Sequence, residues 1–411
     1  MKPRRFFYFG ERKHLKMIEA VLNNKDHPEY GETTITFPIP RDEYGRCIGL
    51  VEAMETGSAS DQDCQVDEIL GAWPVLKRLE NTQVNFDELD YLAKRLDSFA
   101  AGEAAQFQAM AEKLELCNIT DFINLTFCCQ QATVITNFSD LETVGRSHYM
   151  NLNGGCARTE ELEALDAYET ALLLIDSGAG VITPYGVVYD NGMQLEQLYD
   201  GKHFPCYLYE PDMLMVGLTS SLKPENTKEI TWIYLPAARE QINRALLRSG
   251  IEDPSDMRFR FEDSQFPEEV NAALDFERES IYELNDLASV VERLSEEDRA
   301  KLGAAVAMAG PESATQIRQL AENLELFEFV PGAHTPAEYG KYMIQNSGHF
   351  EYDPNLEGFY DYEKYGRQRM DREYGAFTDR GYILYQGTLS LDELMMEDPS
   401  PQYQQEMRGM A

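Results

Sequence analysis

Asp361-Tyr-Glu-Lys-Tyr-Gly-Arg367, followed by the run from Asp371 to Tyr385 and closing at Gly387, is the stretch whose reading decides the fold. Asp361 and Glu363 stand beside Tyr360, Tyr362 and Tyr365, and two further acids, Glu351 and Asp353, lie just upstream. This pattern describes a polar surface with aromatic backing. A weaker echo of it occurs much earlier. Tyr168-Glu169 matches Tyr362-Glu363, and Thr183, Gly186 and Gly192 match Thr378, Gly381 and Gly387 at one constant offset. The chain therefore reads as the same module present twice.

Working outward, both copies open alike. Thr33-Thr-Ile-Thr-Phe-Pro38 is a β-rich strand stopped by proline, followed by a polar segment starting at Arg41-Asp-Glu-Tyr44. Its counterpart is Thr231-Trp-Ile-Tyr-Leu-Pro236, followed by a helix from Ala238 to Leu247 with a glycine stop at Gly250. Helical spacing then recurs in Phe86, Leu89, Leu92 and Leu96, and again in Ile281, Leu284, Leu287, Val291 and Leu294. Each helix hairpin reaches nearly one hexapeptide, Ala111-Glu-Lys-Leu-Glu-Leu116 and Ala321-Glu-Asn-Leu-Glu-Leu326, identical at five of six positions. Short strands follow at Thr133 to Thr136 and Phe327 to Val330, then helix starts at Ser139 to Arg146 and Thr335 to Lys341.

These matches set the expected domains: a basic arm over 1–30, module one over 31–200, a linker over 201–228, module two over 229–390 and a polar tail over 391–411. The arm holds six Lys or Arg and one Glu in its first sixteen positions and continues as a short helix around His14 to Leu22. It either steers toward nucleic acid or neutralises the acidic body; the second needs no partner and is preferred. Leu214-Met-Val-Gly-Leu218 in the linker reads as a last strand of copy one. A period near two hundred residues is far longer than that of a solenoid, so duplication of a whole module fits better.

At 411 residues the chain can bury a sizeable core, and its outstanding feature is charge: 72 Asp plus Glu against 36 Lys plus Arg, a formal net of -36. Such self-repulsion costs stability. Thirty-six excess carboxylates match the charge on about 60 Å of duplex DNA, or about 18 base pairs. By itself this charge is accounted for more simply by an acidic or halophilic cytoplasmic protein, and what it excludes is direct binding to nucleic acid. The seven cysteines (47, 64, 117, 128, 129, 156 and 206) form no C-x-x-C, so neither a zinc site nor a disulfide framework is indicated. A reducing cytoplasm is the expected compartment. No apolar run approaches membrane-spanning length, and the N-terminus lacks a secretory h-region.

No motif predicts catalysis, a metal or a cofactor. The histidines (14, 27, 148, 203, 334 and 349) are scattered, no G-x-S-x-G occurs, and Gly154-Gly-Cys156 reads as a loop cysteine. The more informative feature is an acidic helix expected from Glu268, after Pro267, to about Leu294. Thirteen acids and two arginines lie between Glu262 and Asp298. On one helix Glu268, Asp275, Glu279, Glu283 and Asp286 fall near one face, while Glu262, Asp263 and Glu269 extend the acidic run. Like charges at that spacing cost about 0.2–0.5 kcal/mol per pair, although early acids suit the helix dipole and a charged face is usually just solvated.

The order of these elements, ending in Asp361 to Arg367 and the Gly375 to Tyr385 hairpin, resembles the ArdA family of antirestriction proteins. The similarity covers about Thr231 to Gly387 and, more loosely, about Thr33 to Gly192. Its most specific part is Tyr360 to Arg367, which is similar to the family's antirestriction motif. The resemblance implies an elongated, acidic α+β protein of mobile elements and phages, here with two tandem ArdA-like modules. It implies that the chain imitates DNA and occupies the basic groove of a type I restriction-modification enzyme without catalysis. Within the motif, Asp361 and Glu363 would contribute charge or orientation, Tyr362 and Tyr365 would pack the turn, and Gly366-Arg367 would shape it. Copy one departs from the pattern, with Ala171, Leu172 and Leu173 in place of Tyr-Gly-Arg. A fused pair could supply both halves of a symmetric dimer, and further dimerisation is left open. The competing reading is a non-mimetic interaction or regulatory protein of a mobile element.

Overall fold

Strict alternation sets the first sheet. In Ile18-Glu-Ala-Val-Leu-Asn23, Ile18, Ala20 and Leu22 are buried while their neighbours face outward, the signature of a half-buried strand. The short helix expected around His14 to Leu22 is therefore a strand where it is described, because a period of two cannot hold a helical face. The computed structural model describes residues 17–224, 229–251, 256–276, 278–348 and 351–396; most of the basic arm and of the tail lies outside them.

In chain order the first elements are β1 (Ile18–Asn23), β2 (Glu32–Phe37), α1 (Tyr44–Glu52), β3 (Cys64–Gly71), β4 (Gln83–Val84), α2 (Phe86–Asp97), α3 (Ala101–Lys113) and α4 (Ile119–Leu125). They continue with β5 (Thr133–Ile135), α5 (Leu141–Leu152), α6 (Thr159–Ala164), α7 (Ala167–Asp176), β6 (Val181–Thr183) and β7 (Gly186–Tyr189). Then come β8 (Leu214–Ser220), β9 (Thr231–Leu235), α8 (Arg239–Arg248), β10 (Met257–Ser264), α9 (Glu268–Ala273), α10 (Ile281–Glu292), α11 (Glu296–Ala309) and α12 (Ala314–Glu322). The last are β11 (Phe327–Pro331), α13 (Pro336–Gln345), α14 (Tyr362–Met370), β12 (Tyr374–Thr378), β13 (Gly381–Tyr385) and α15 (Leu391–Met395). Helices and small sheets mix along the whole chain, an α+β fold.

The described residues fall into two compact units, and α8, although it follows β9, belongs to the first. In that unit the sheets run β2-β1-β3-β4 and β5-β7-β6; in the other they run β10-β8-β9 and β11-β13-β12. Each unit thus has a sheet centred on its first strand and a three-stranded sheet in which the last strand lies in the middle. Seven elements of the second series start 195 positions after an element of the first: α8 after α1, α10 after α2, α11 after α3, α12 after α4, α13 after α5, α14 after α7 and β13 after β7. Two expectations are corrected by this register, and a third by burial. Leu214 to Leu218 belongs to β8, the central strand of the second unit's first sheet, paired antiparallel with β10 from Leu218↔Phe259 onward. The two hexapeptides end helices that do not correspond, since Ala111 lies in α3 and Ala321 in α12, 210 positions apart. The tail is not wholly polar: α15 opens with a Ser390–Glu393 capping box and buries Leu391, Leu394 and Met395.

The core of the first unit forms because α2 carries one apolar face. Phe86, Leu89, Leu92, Ala93 and Leu96 are completely buried, each large side chain worth roughly 1.5–3 kcal/mol. Asn85 caps this helix through Asp87 N at 3.0 Å, and Glu88 returns a bond to Asn85 N at 3.0 Å. The same helix start holds a buried charge. Arg244 and Arg248, one turn apart on α8, both bind the Asp87 carboxylate; Arg244 Nε donates at 3.0 Å. Arg244 also donates to the carbonyls of Gly57 and Ser58, Arg248 to that of Ala59, and the Tyr44 hydroxyl completes the set.

Burial alone would raise the Asp87 carboxyl, but Arg248 and then Arg244 outweigh it and hold it below the usual carboxylate range. The stabilisation is therefore present above the unfolded-state pKa and is lost as pH falls through the folded one. Asp87→Asn leaves two buried guanidiniums facing a neutral amide and should cost about 3–5 kcal/mol at neutral pH. Denaturant unfolding should show that loss at pH 7 and a shrinking difference from wild type below about pH 4.

Candidate partner-binding surface

The stretch Asp361 to Arg367 builds α14, and each of its residues has a distinct task. Asp361 caps the helix, accepting from Lys364 N at 3.0 Å, and Arg367 and Arg369 lie in the last turn, where cations suit the dipole. Gly366 is buried against α13: a Cβ there would overlap the carbonyl oxygen of Pro336, and one on Gly340 of α13 would overlap that of Tyr362. Two glycines thus allow the helices to approach to backbone contact. Tyr365 packs on a cluster of Val330, Tyr339, Met343, Tyr382 and Leu384. The Tyr362 hydroxyl donates to Glu357 at 2.8 Å and receives Gln345 Nε2 at 3.0 Å.

What remains outward is mixed in charge. Asp361, Glu363, Lys364, Arg367, Gln368 and Asp371 line an open depression of about 370 Å³. Glu363 pairs with Arg367 at 2.7 Å, both groups at least 60% exposed, so the pair adds little to stability. The motif is chiefly a shaped corner, with three acids and two bases on its rim.

The corresponding helix of the first unit shows where the sequence register slips. Asp166 caps α7 through Glu169 N at 2.9 Å, as Asp361 caps α14, and Gly145 of α5 would overlap the Ala167 carbonyl just as Gly340 would that of Tyr362. Asp166 thus takes the place of Asp361, and Tyr168 falls where Glu363 stands, one residue from the match read in the sequence. The hairpins do agree: Thr183 Oγ1 donates to the Gly186 carbonyl at 2.8 Å and Thr378 Oγ1 to that of Gly381 at 2.9 Å.

The acidic run is not one helix. It breaks after Ala273, where Leu274 turns extended, and restarts at Ile281 with Ser280 as cap. Glu262 and Asp263 are exposed on β10, and Glu268 is exposed in the first turn of α9. Glu269 is held by Arg380 at 2.7 Å, and Asp275 pairs with Arg278 at 3.3 Å. Glu279 is turned inward, 7% exposed, and accepts Ala314 N at 3.0 Å; burial raises its carboxyl above the usual range. Glu283 accepts from Thr315 Oγ1 at 3.2 Å, and Asp286 is half-buried on α10. The expected single face is therefore divided between a strand, a short helix, a turn and a longer helix. Exposed acids of the run also include Glu296 and Glu297 at the start of α11.

Sequence reasoning missed the turn that precedes α14. Pro354–Phe359 is a 3-10 turn capped by Asp353, and Glu357 within it accepts from the Tyr352 and Tyr362 hydroxyls. Those bonds, from Tyr352 first, pull the Glu357 carboxyl down, while the Tyr352 phenol is pushed up to about 12. Phe359 is 86% exposed. The signal was available in Asp353-Pro354, a cap followed by proline at the first helical position. Among the described residues, no group of three or more His, Cys, Asp or Glu could hold a metal ion, and no helix is long and apolar enough to cross a membrane.

Gly366→Ala tests the helix contact directly. The added methyl meets main chain that cannot rotate away, so the melting temperature should fall, with a cost of about 1–3 kcal/mol; an unchanged melting curve would show that the helices separate freely.

No curated protein matches the chain. Residues 230–384, which include α13 and α14 in backbone contact and β11, β12 and most of β13 of one sheet, match the family model described as Antirestriction protein (ArdA).

Proposed function

We propose that this protein is an antirestriction protein that acts as a DNA mimic, occupying the DNA-binding groove of a type I restriction-modification enzyme. The family match over residues 230–384 carries the reading and supports antirestriction in general terms. The mimicry rests on charge. A formal net of -36, with Glu262, Asp263, Glu268, Glu296 and Glu297 exposed, supports attraction to a basic groove. Action is by occupancy in the cytoplasm, with no bond made or broken and no cofactor. The start-to-start spacing of 195 residues between corresponding elements supports a chain of two ArdA-like modules, of which the second carries the motif Asp361, Tyr362, Glu363, Tyr365, Gly366 and Arg367.

A second reading, a non-mimetic interaction or regulatory protein of a mobile element, draws on exposed apolar side chains of the first unit. Leu173 of α7 is 66% exposed and Ile182 of β6 is 85% exposed, with Tyr168 and Leu172 also open to solvent.

Titration of the purified protein into a type I enzyme bound to labelled DNA separates the two. Mimicry predicts displacement that weakens steeply as salt rises, because the carboxylates release the same counterions as DNA. DNA that stays bound at excess protein would overturn mimicry and leave the second reading.

A further inference from the structure

The turn between α13 and α14 differs from its counterpart in the first unit at the positions that face outward. Counting back 195 residues from Tyr352, Glu357, Phe359, Tyr360 and Tyr362 gives Ala157, Leu162, Ala164, Leu165 and Ala167. Both connections join corresponding helices, the first unit's through α6, so joining them does not require the aromatic set. In the second unit the rings are arranged in a row: Tyr352 and Tyr360 lie 5.7 Å apart, Tyr360 and Tyr362 5.8 Å apart and stacked. Phe359 projects beside them at 86% exposure, and Leu356 is 47% exposed.

The turn is fixed by its own hydrogen bonds. Asp353 accepts from Asn355 N at 2.9 Å, and Glu357 Oε2 accepts from Tyr352, from Tyr362 at 2.8 Å and from Gln345 at 3.0 Å. All three donors reach one oxygen; among the described residues none reaches Oε1. From Glu351 to Glu363 the chain has five acids (351, 353, 357, 361 and 363) and no lysine or arginine. Lys341 of α13 acts on Glu357 from outside this stretch, but the acids outnumber it, so a cationic partner is favoured. A carboxylate held at the hydroxyl ends of Tyr352 and Tyr362, two residues from the exposed Phe359 ring, matches guanidinium, which is planar, donates through a fork and stacks on rings, better than it matches the compact ammonium of lysine.

We propose that the turn from Tyr352 to Tyr362 is an arginine anchor, by which the second unit holds a protein surface that presents exposed arginine side chains. The anchor rests on the antirestriction reading for the identity of that surface, the basic groove of the enzyme. Its chemistry stands apart from that reading. Carboxylates spread over the rest of the protein attract any cation, whereas this turn discriminates between two cations of equal charge.

The test uses the full chain and two fluorescent peptides of equal length, oligo-arginine and oligo-lysine, with binding followed by anisotropy at constant salt. The wild type should prefer arginine by about two- to fivefold. Phe359→Ala and Glu357→Gln should each reduce that preference toward unity, whereas Leu173→Ala, on α7, should keep it. Phe359 is exposed and takes no part in the hydrogen bonds that fix the turn, so Phe359→Ala should melt as the wild type does and carries the test; Glu357→Gln alters the acceptor of three of those bonds and is read only beside its own melting curve. Equal affinity of the wild type for the two peptides, or full preference in both turn variants, would overturn the anchor. DNA displacement without arginine preference removes the anchor alone; arginine preference without displacement removes the mimicry reading and leaves the anchor standing.

Discussion

Cations are scarce in this chain, and their placement governs what the surface can be. With 36 Lys and Arg against 72 acids, each cation drawn inside leaves the exterior more anionic. Arg244 and Arg248 are buried, and Arg95, Arg299 and Arg380 are half-buried. Arg244 and Arg248 converge on Asp87 and on the carbonyls of Gly57, Ser58 and Ala59. Arg95 bonds the Thr126 carbonyl at 2.9 Å and lies 4.3 Å from the Phe127 ring and 4.4 Å from that of Tyr207. Arg299 caps the carbonyls of Val291 and Glu292, and Arg380 binds Glu269. The guanidiniums of Arg95, Arg244, Arg248 and Arg299 satisfy backbone carbonyls that would otherwise be costly to bury. A protein that used them at the surface to neutralise its acids would lose those internal contacts.

Much of the fold was legible wherever a periodicity or a cap was local. Phe86, Leu89, Leu92 and Leu96 recur as Ile281, Leu284, Leu287 and Val291 at the same 195-residue spacing that the helices keep, because the same face must be buried in each. Thr183 with Gly186 and Thr378 with Gly381 were readable for the same reason: the hydroxyl closes a turn that the glycine opens. Misreadings arose where composition imitated homology or where the cap was overlooked. The two hexapeptides coincide because helix ends favour Ala, Glu, Lys and Leu. Tyr168-Glu169 was aligned one residue off because Asp166, which fixes the phase of α7, was not recognised as the cap. The acidic run read as one helix because charge pattern alone cannot reveal that Ser280 and Glu283 begin a new one. The pairing of Asp87 with residues 157 and 161 positions away carries no local signal at all.

The site was legible in part. Its aromatic and acidic residues were visible, but their division of labour was not. Asp361 is consumed in capping and Gly366 in helix contact, so both are fixed by the local fold. The outward residues diverge between the units while the buried frame is kept. Where α14 presents Glu363, Arg367 and Gln368, α7 presents Tyr168, Leu172 and Leu173. Such divergence on a common frame fits a division in which the two halves meet different surfaces.

The most direct measurement of the central claim is a cryo-electron microscopy structure of the full chain bound to a type I restriction-modification enzyme. The account predicts density for the chain inside the groove that otherwise holds DNA, with carboxylates facing the basic side chains there. Density on another surface of the enzyme, with DNA still seated in its groove, would contradict it.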